Sequence, residues 1–379
     1  MPYNRESGEL DAEILRVIGG WHKHGRGLSD AEFEDLAQRV FAYQLRYDEP
    51  YARYCGSLGV TAGAMPASWH EMPAVPTAAF KEATLATFDP ARAALAFETS
   101  GTTQGGRLTP ILGSADTSAS VRVVGGRHYM ETRALYDASL LAGFDRFMLA
   151  DDAKLRYFNL VPNPADRPQS SLGYMMGRVC AERGDGNTGW YLRGDDLFVD
   201  AFVADARAAI EDGAPVCIAG TAFAFVQLCD ELAERKQSFA FAPGSRIMET
   251  GGFKGRSRVV SREDLYASLV ACFGIPDERI VAEYSMTELS SQWYDGAKRI
   301  KHAPPWLRAR VIGADGKTLP EGVVGALVHV DLANRSSCLA VQTEDLGAAV
   351  GDGIVLIGRE QGAELRGCSL DAETLRAIR

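Results

Sequence analysis

Several common signatures are missing from this 379-residue chain, and each absence removes a class of function. The seven cysteines (55, 180, 217, 229, 272, 338 and 368) are scattered, odd in number and contain no CxxC pair. Neither a disulfide framework nor a zinc site follows from such spacing, and most of these thiols are expected to be small buried hydrophobes. The six histidines show no HExxH or comparable ligand spacing, which argues against a structural metal. No apolar run approaches the ~20 residues that span a bilayer. The start, Met1-Pro-Tyr-Asn-Arg-Glu6, lacks the basic segment and apolar core of a signal peptide, so a cytoplasmic protein is expected. Positive charge is also short: the formal net charge of −10 excludes a general nucleic-acid or anionic-membrane surface, while leaving room for a local basic pocket. No internal repeat or low-complexity tract is evident.

What is present is an ordinary globular composition. Hydrophobic residues make up 46% and charged residues 24%, which excludes disordered and collagen-like classes. The length suffices for a large core in one large α/β domain or in two domains. Ser29-Asp-Ala-Glu32 is a capping box followed by apolar residues at helical spacing, and it belongs to a helical N-terminal region from about Glu9 to Leu58. The Gly-, Pro- and Ser-rich stretch Gly59 to Pro76 reads as a connection to the main body. Ser114 can cap a helical segment toward Leu141, broken or kinked at Gly125-Gly126.

Beyond it, apolar runs at Tyr157–Val161, Val216–Ala219, Arg246–Met248 and Ile280–Ala282 read as short buried strands. They alternate with helices expected at Ser171–Ala181, Leu197–Ile210, Ala222–Leu232 and Leu265–Phe273. Such alternation predicts an α/β fold, a layered and mostly parallel sheet with helices on both faces that binds ligands at the carboxyl ends of its strands. The last third is β-rich, with a hairpin signal at Asp315-Gly316, and reads as an antiparallel addition to the same domain. Gly184-Asp-Gly-Asn-Thr-Gly189 fits GxGxxG, but it neither follows a strand nor opens a helix and reads as a loop.

Four stretches carry candidate chemistry. Glu98-Thr-Ser-Gly-Thr-Thr-Gln-Gly-Gly-Arg107, between two apolar runs, has the glycines and hydroxyls of a nest that cradles phosphate, and equally the composition of a solvated hairpin turn. Met248-Glu-Thr-Gly-Gly-Phe-Lys-Gly-Arg256 runs from a strand into paired glycines suited to close approach of a ring or phosphate, with Lys254 and Arg256 as cations, or is a turn with solvated basic residues. Glu283-Tyr-Ser-Met-Thr-Glu288 places an aromatic, a hydroxyl and a carboxylate on one expected strand-to-helix turn, able to stack a base, bind phosphate and hold Mg²⁺. In Gln342-Thr-Glu-Asp-Leu-Gly347, an Asp expected in a loop can accept both hydroxyls of a ribose.

Together and in this order these motifs resemble the adenylate-forming enzymes: acyl-CoA synthetases, nonribosomal peptide adenylation domains and luciferase. Thr99 to Arg107 is similar to the family's phosphate loop, Tyr284 to Glu288 to its aromatic-x-x-Thr-Glu motif and Thr343-Glu-Asp345 to its ribose-binding Thr-Gly-Asp. Gly358-Arg359 through Arg366-Gly367 resembles the hinge, and the segment Asp315 to Gly325 the stretch before the ribose motif. Departures are an extra Gln104, Arg107 where many relatives have Lys, and Glu344 in place of Gly. Only 12 residues follow Gly367, so the family's C-terminal lid domain and its catalytic lysine are expected to be missing. The expected organisation is a large domain over 1–357, its first 76 residues helical, and a hinge remnant with tail over 358–379.

That truncation, with Cys368 just past the hinge, resembles one branch: the acyl-protein synthetases, or long-chain-fatty-acid luciferin-component ligases, which are acylated on a cysteine near the C-terminus. Gly220 to Phe225 and Gly251 to Gly255 also look like this branch. The resemblance implies an ATP-dependent acid–thiol ligase. A carboxylic acid, fatty in this branch, plus ATP would give acyl-AMP and pyrophosphate, and the acyl group would pass to a thiol, Cys368, and on to a partner such as an acyl reductase. It implies that Thr99, Ser100, Gly101, Thr102 and Thr103 grip the ATP phosphates, with Arg107, Lys254 or Arg256 offsetting charge. Gly251 and Gly252 would approach the nucleotide, Tyr284 would flank adenine, Thr287 the α-phosphate, Asp345 the ribose and Arg359 the nucleotide from the hinge side, while Glu288 would bind Mg²⁺. Phe223 and Phe225 would line an acyl pocket or pack in the core, and Cys368 without the resemblance would be a surface thiol in a frayed tail. Two alternatives stay open: an acyl- or aryl-adenylating ligase that delivers to coenzyme A or a carrier-protein thiol, and a degenerate binding subunit.

Overall fold

The computed structural model describes residues 5–99, 107–109, 122–151, 153–251, 260–295 and 299–359, with the two strands at 107–109 and 122–124 and the terminal residue 359 described by backbone alone. Helices α1 (Arg5–His24), α2 (Asp30–Tyr47) and α3 (Glu49–Ser57) open the chain. The capping box of α2 forms as expected: Ser29 Oγ accepts from the Glu32 N–H at 3.3 Å and the Glu32 carboxylate accepts from the Ser29 N–H at 2.9 Å. Strand β1 (Val75–Pro76) and the short α4 (Ala79–Glu82) follow, so the connecting stretch Gly59 to Pro76 ends in a strand.

Next come β2 (Leu95–Glu98), β3 (Arg107–Thr109), β4 (Arg122–Val124) and β5 (Arg127–Met130), paired antiparallel as β2–β5 and β3–β4. Of the helix expected from Ser114 toward Leu141, residues 114–121 lie outside the described residues, and the rest is corrected to two strands and then α5 (Ala134–Met148). Gly125 and Gly126 separate those strands because backbone passes too close for a side chain. A Cβ on Gly126 would lie 2.6 Å from the Phe80 carbonyl carbon, and one on Gly125 2.5 Å from the Thr99 carbonyl oxygen.

The body then alternates through β6 (Leu155–Pro162), α6 (Ser171–Arg183), β7 (Gly184–Arg193), β8 (Asp196–Leu197), α7 (Val199–Glu211), β9 (Val216–Thr221), α8 (Ala222–Glu234), β10 (Arg246–Thr250), α9 (Arg262–Phe273), β11 (Ile280–Tyr284) and β12 (Trp293–Tyr294). Its strands form a seven-stranded sheet in the order β12-β11-β10-β9-β6-β7-β8, parallel except at the two edges. The GxGxxG stretch at Gly184 thus lies in a strand, β7, rather than in a loop. Strand periodicity explains the two cores. Phe158, Leu160, Ile218, Ile247 and Ile280 pack with α7, α8 and α9, whereas Tyr157, Cys217, Ala219 and Met248, one position out of phase, pack with α5 and α6.

A second sheet closes the chain: β13 (Leu307–Ile312), β14 (Gly325–Asp331), β15 (Ala340–Val350) and β16 (Gly353–Arg359), with β1 added parallel to β15. The antiparallel pairing matches the expectation, and the N-terminal helices share a buried core with Val328, Val330, Ala340 and Val341 of this sheet. On β14–β15 the register runs Ala326↔Leu346 and then Val328↔Gln342, so two steps on β14 face four on β15. This bulge displaces Thr343 to Asp345. Asp345 therefore sits in an irregular strand rather than in the expected loop.

Candidate active site

The strands carry three of the four motifs to one place. Because β10 and β11 are parallel neighbours with Thr250 opposite Glu283, Gly251 and Tyr284 end the pairing side by side at the carboxyl edge of the sheet. Gly251 has φ of 71°, a left-handed backbone that suits glycine. The Thr250 hydroxyl donates to the Glu283 carboxylate across the two strands. After Tyr284 the chain enters a turn, with the Leu289 N–H donating to the Met286 carbonyl at 3.1 Å, and no helix follows where one was expected.

The start of the glycine-rich loop is tied to the same turn. Thr99, the first residue past β2, donates its N–H to Gly126 O at 2.8 Å. Its Oγ1 is buried and has no hydrogen-bond partner among the described residues. Across from Phe97 on β5, His128 is fully buried and its Nδ1 lies 2.8 Å from the Thr287 carbonyl oxygen. A carbonyl only accepts, so Nδ1 is the protonated nitrogen; burial lowers the imidazole pKa to about 4 and keeps it neutral.

The rest of the turn hangs on the segment after β14. Asn334 Nδ2 donates to Glu288 O at 2.8 Å, and the Ser290 N–H and Ser291 hydroxyl donate to Asp331 at 3.0 and 2.8 Å. Asp331 is fully buried, and burial raises its pKa to about 6 against those hydrogen bonds. Gln44 of α2 donates to Asn334 O at 2.9 Å, and Arg335 reaches Asp11 of α1 at 2.7 and 2.9 Å and Glu131 at 2.7 Å. The N-terminal helices thereby fix the backbone on which Glu288 sits.

Tyr284 and Asp345, distant in sequence, meet through a hydrogen bond of 2.9 Å from the phenol to Oδ2. The bulge is stabilised by Thr343, whose Oγ1 accepts from the Asp345 N–H at 3.1 Å and donates to Leu327 O at 3.3 Å. His329 of β14 completes the group, with Nε2 at 3.2 Å from the Tyr284 oxygen.

Sequence reading missed three buried titratable residues here: His128, His329 and Glu249. His329 is a single polar residue between Val328 and Val330, and that mismatch is the signal that marks it; His128 follows Arg127 and Glu249 precedes Thr250, so polar neighbours hide them. Glu249 is 8% exposed, and burial raises its carboxyl pKa to about 7 despite the opposing charges of Lys301 and Arg262. Lys301, also buried, donates to Ala282 O at 3.1 Å and lies 3.7 Å from Asp295, which Arg262 meets at 2.7 Å.

Other expected site residues are less fully placed. Ser100, Gly101, Thr102, Thr103, Gly252, Lys254, Arg256 and Cys368 lie outside the described residues, and Arg107 and Arg359 are placed by backbone alone. Phe223 is half-buried at the start of α8; Phe225 is fully buried in the core, its ring 3.1 Å from where a Cβ on Gly220 would stand. Glu288 is 6% exposed, and among the described residues no group of three or more His, Cys, Asp or Glu side chains is arranged to hold a metal ion. No described helix is long and apolar enough to cross a membrane.

Comparison with known proteins bears on the family and the fold. The family described as acyl-protein synthetase, LuxE, matches residues 194–374. The long-chain-fatty-acid–luciferin-component ligase of Vibrio harveyi is 23% identical over 349 residues, covering 88% of this chain and 85% of the relative. Its counterpart in Aliivibrio fischeri is 24% identical over 135 residues, 35% of this chain and 36% of the relative. Among solved structures, 2-hydroxyisobutyryl-CoA ligase in an open conformation with 2-HIB-AMP and CoA superposes with a TM-score of 0.59 at 13% identity, covering 88% of this chain and 76% of that one. The same ligase in the postadenylation state gives 0.59 at 12% identity over 93% of this chain and 68% of that one. These likenesses establish the adenylate-forming fold.

Proposed function

We propose that this chain, a member of the acyl-protein synthetase family and an ATP-dependent ligase, activates a fatty acid as acyl-AMP and passes the acyl group to Cys368, from which a partner such as an acyl reductase takes it. The observation that carries the reading is the 2.9 Å hydrogen bond between Tyr284 and Asp345, which joins the expected base and ribose contacts across 61 residues of sequence. The buried, partnerless hydroxyl of Thr99 also fits an anion at the adjoining loop. Names of relatives support the acid class: those of Vibrio harveyi and Aliivibrio fischeri are long-chain-fatty-acid ligases.

In this reading a carboxylate oxygen of the acid attacks the α-phosphorus of ATP, the bond to the pyrophosphate oxygen breaks, and acyl-AMP forms. A thiolate then attacks the acyl carbon and AMP leaves with the bonding pair, giving a thioester; the thiol proton goes to solvent. Thr99, Ser100, Gly101, Thr102 and Thr103 hold phosphate oxygens, while Arg107, Lys254 and Arg256 offset their charge. Gly251 and Gly252 let backbone approach the nucleotide. Tyr284 packs on adenine, Thr287 meets the α-phosphate, Asp345 accepts from the ribose and Arg359 closes the hinge side. Glu288 would hold Mg²⁺, which would supply further neutralisation of the phosphates. Phe223 bounds the acyl chain, with Phe225 packed behind it in the core.

Incubation with ATP, Mg²⁺ and radiolabelled fatty acid should label the protein in a hydroxylamine-sensitive form. Cys368→Ser should abolish the label and spare acid-dependent pyrophosphate exchange. Label that survives this substitution removes Cys368 from the reaction, and turnover with coenzyme A or a carrier protein that ignores it points to those acceptors instead. Absence of any exchange would leave a binding subunit.

A further inference from the structure

Resting on the reading of Tyr284 and Asp345 as the base and ribose contacts of the nucleotide, we propose that His329 is a positioning residue for ATP: it donates a hydrogen bond to Tyr284 and thereby commits the phenolic proton to Asp345. The donor inventory fixes the direction. Tyr284 has one hydroxyl proton, and Asp345, an acceptor when ionised, takes it at 2.9 Å. The contact of 3.2 Å from the Tyr284 oxygen to His329 Nε2 is then a hydrogen bond only if Nε2 carries the hydrogen. His329 Nδ1 is left as an unprotonated acceptor, and it has no partner among the described residues.

The placement argues for a purpose beyond packing. His329 is 0% accessible to solvent and stands between Val328 and Val330, where an aliphatic residue would continue the apolar run. An imidazole with one unpartnered nitrogen costs free energy to bury there, so its one donated hydrogen bond is the feature that distinguishes it from valine or leucine. Its ring is held on two sides, with centroids 5.6 Å from Tyr284 and 5.7 Å from Trp293, which makes the N–H direction rigid. The bulge at Thr343 sets Asp345 from β15, and β14 brings His329 to the same point from the adjacent strand. Without the donor, the phenol is free to rotate its proton away from Asp345, and both nucleotide contacts lose their fixed orientation together.

Acid-dependent pyrophosphate exchange measured against ATP and against the acid separately tests this. His329→Leu should raise KM for ATP by about 10-fold, the scale of a lost hydrogen bond to a charged network, with KM for the acid and kcat little changed. His329→Gln, whose amide N–H reaches the position of Nε2, should recover most of that loss, whereas His329→Asn, whose amide falls at Nδ1, should not. Combining His329→Leu with Tyr284→Phe should give the ATP KM of Tyr284→Phe alone. Equal ATP KM values for the Gln and Asn variants, or additive effects in the double variant, would overturn the proposal even where the Leu variant folds poorly. If Tyr284→Phe and Asp345→Ala themselves leave ATP KM unmoved, the nucleotide-site reading fails instead.

Discussion

A buried ionisable residue beside the carboxyl edge of the sheet tells on itself through pH. Glu249 has its pKa raised by burial to about 7, so the folded state holds the proton that the unfolded chain releases near the ordinary carboxyl value. The stability this contributes is complete at acid pH and is lost as pH rises through about 7. Glu249→Gln is neutral at every pH. Its melting temperature relative to the parent should therefore climb between pH 5 and pH 8 in differential scanning calorimetry, and a constant offset would show that Glu249 is ionised throughout. His128 and His329 act in the opposite sense: burial lowers both to about 4, so their contribution is present above the ordinary imidazole range and is lost toward acid.

At the scale of elements, Phe225 shows how one position in a motif divides between packing and chemistry. It is fully accessible to nothing but protein, wedged in the core with Leu160 and Leu228. Phe225→Ala should cost about 3–5 kcal/mol of stability in denaturant unfolding, and a loss under ~1 kcal/mol would mean the ring is not part of the core. The elements themselves were readable to different depths. Central strands β6, β9, β10 and β11 and helices α6 to α9 were visible because their apolar runs agree with their final environment. The strands β4 and β5 were hidden by a preceding serine that looked like a cap and by glycines whose reason is the distant Phe80 and Thr99 backbones. Strand β7, one in from the sheet edge, was hidden by its polarity, and the strand around Asp345 by a bulge that breaks the two-residue period.

Across the whole molecule, the site is assembled from segments that sequence keeps far apart. Tyr284 and Asp345 could be named from their motifs, yet His329, which meets Tyr284, and His128, Asp331 and Asn334, which hold the turn after it, could not, because only the fold reveals their partners. The buried Arg335, paired with Asp11 and Glu131, links the first helix to this core; such a buried pair is a weak source of net stability and a strong source of geometry. A chain of net charge −10 must also gather local positive charge where ATP phosphates bind, which is the role expected of Arg107, Lys254 and Arg256. The measurement that tests the central claim most directly is fatty-acid-dependent exchange of radiolabelled pyrophosphate into ATP by the unmodified protein and by Thr99→Val. The account predicts exchange only when acid is present, and a rate at least about 10-fold lower for a Thr99→Val protein that melts like the parent, since the hydroxyl lost is the one proposed to bond phosphate and it bonds nothing in the described fold. No acid-dependent exchange by the parent, or an undiminished rate in the variant, would contradict it.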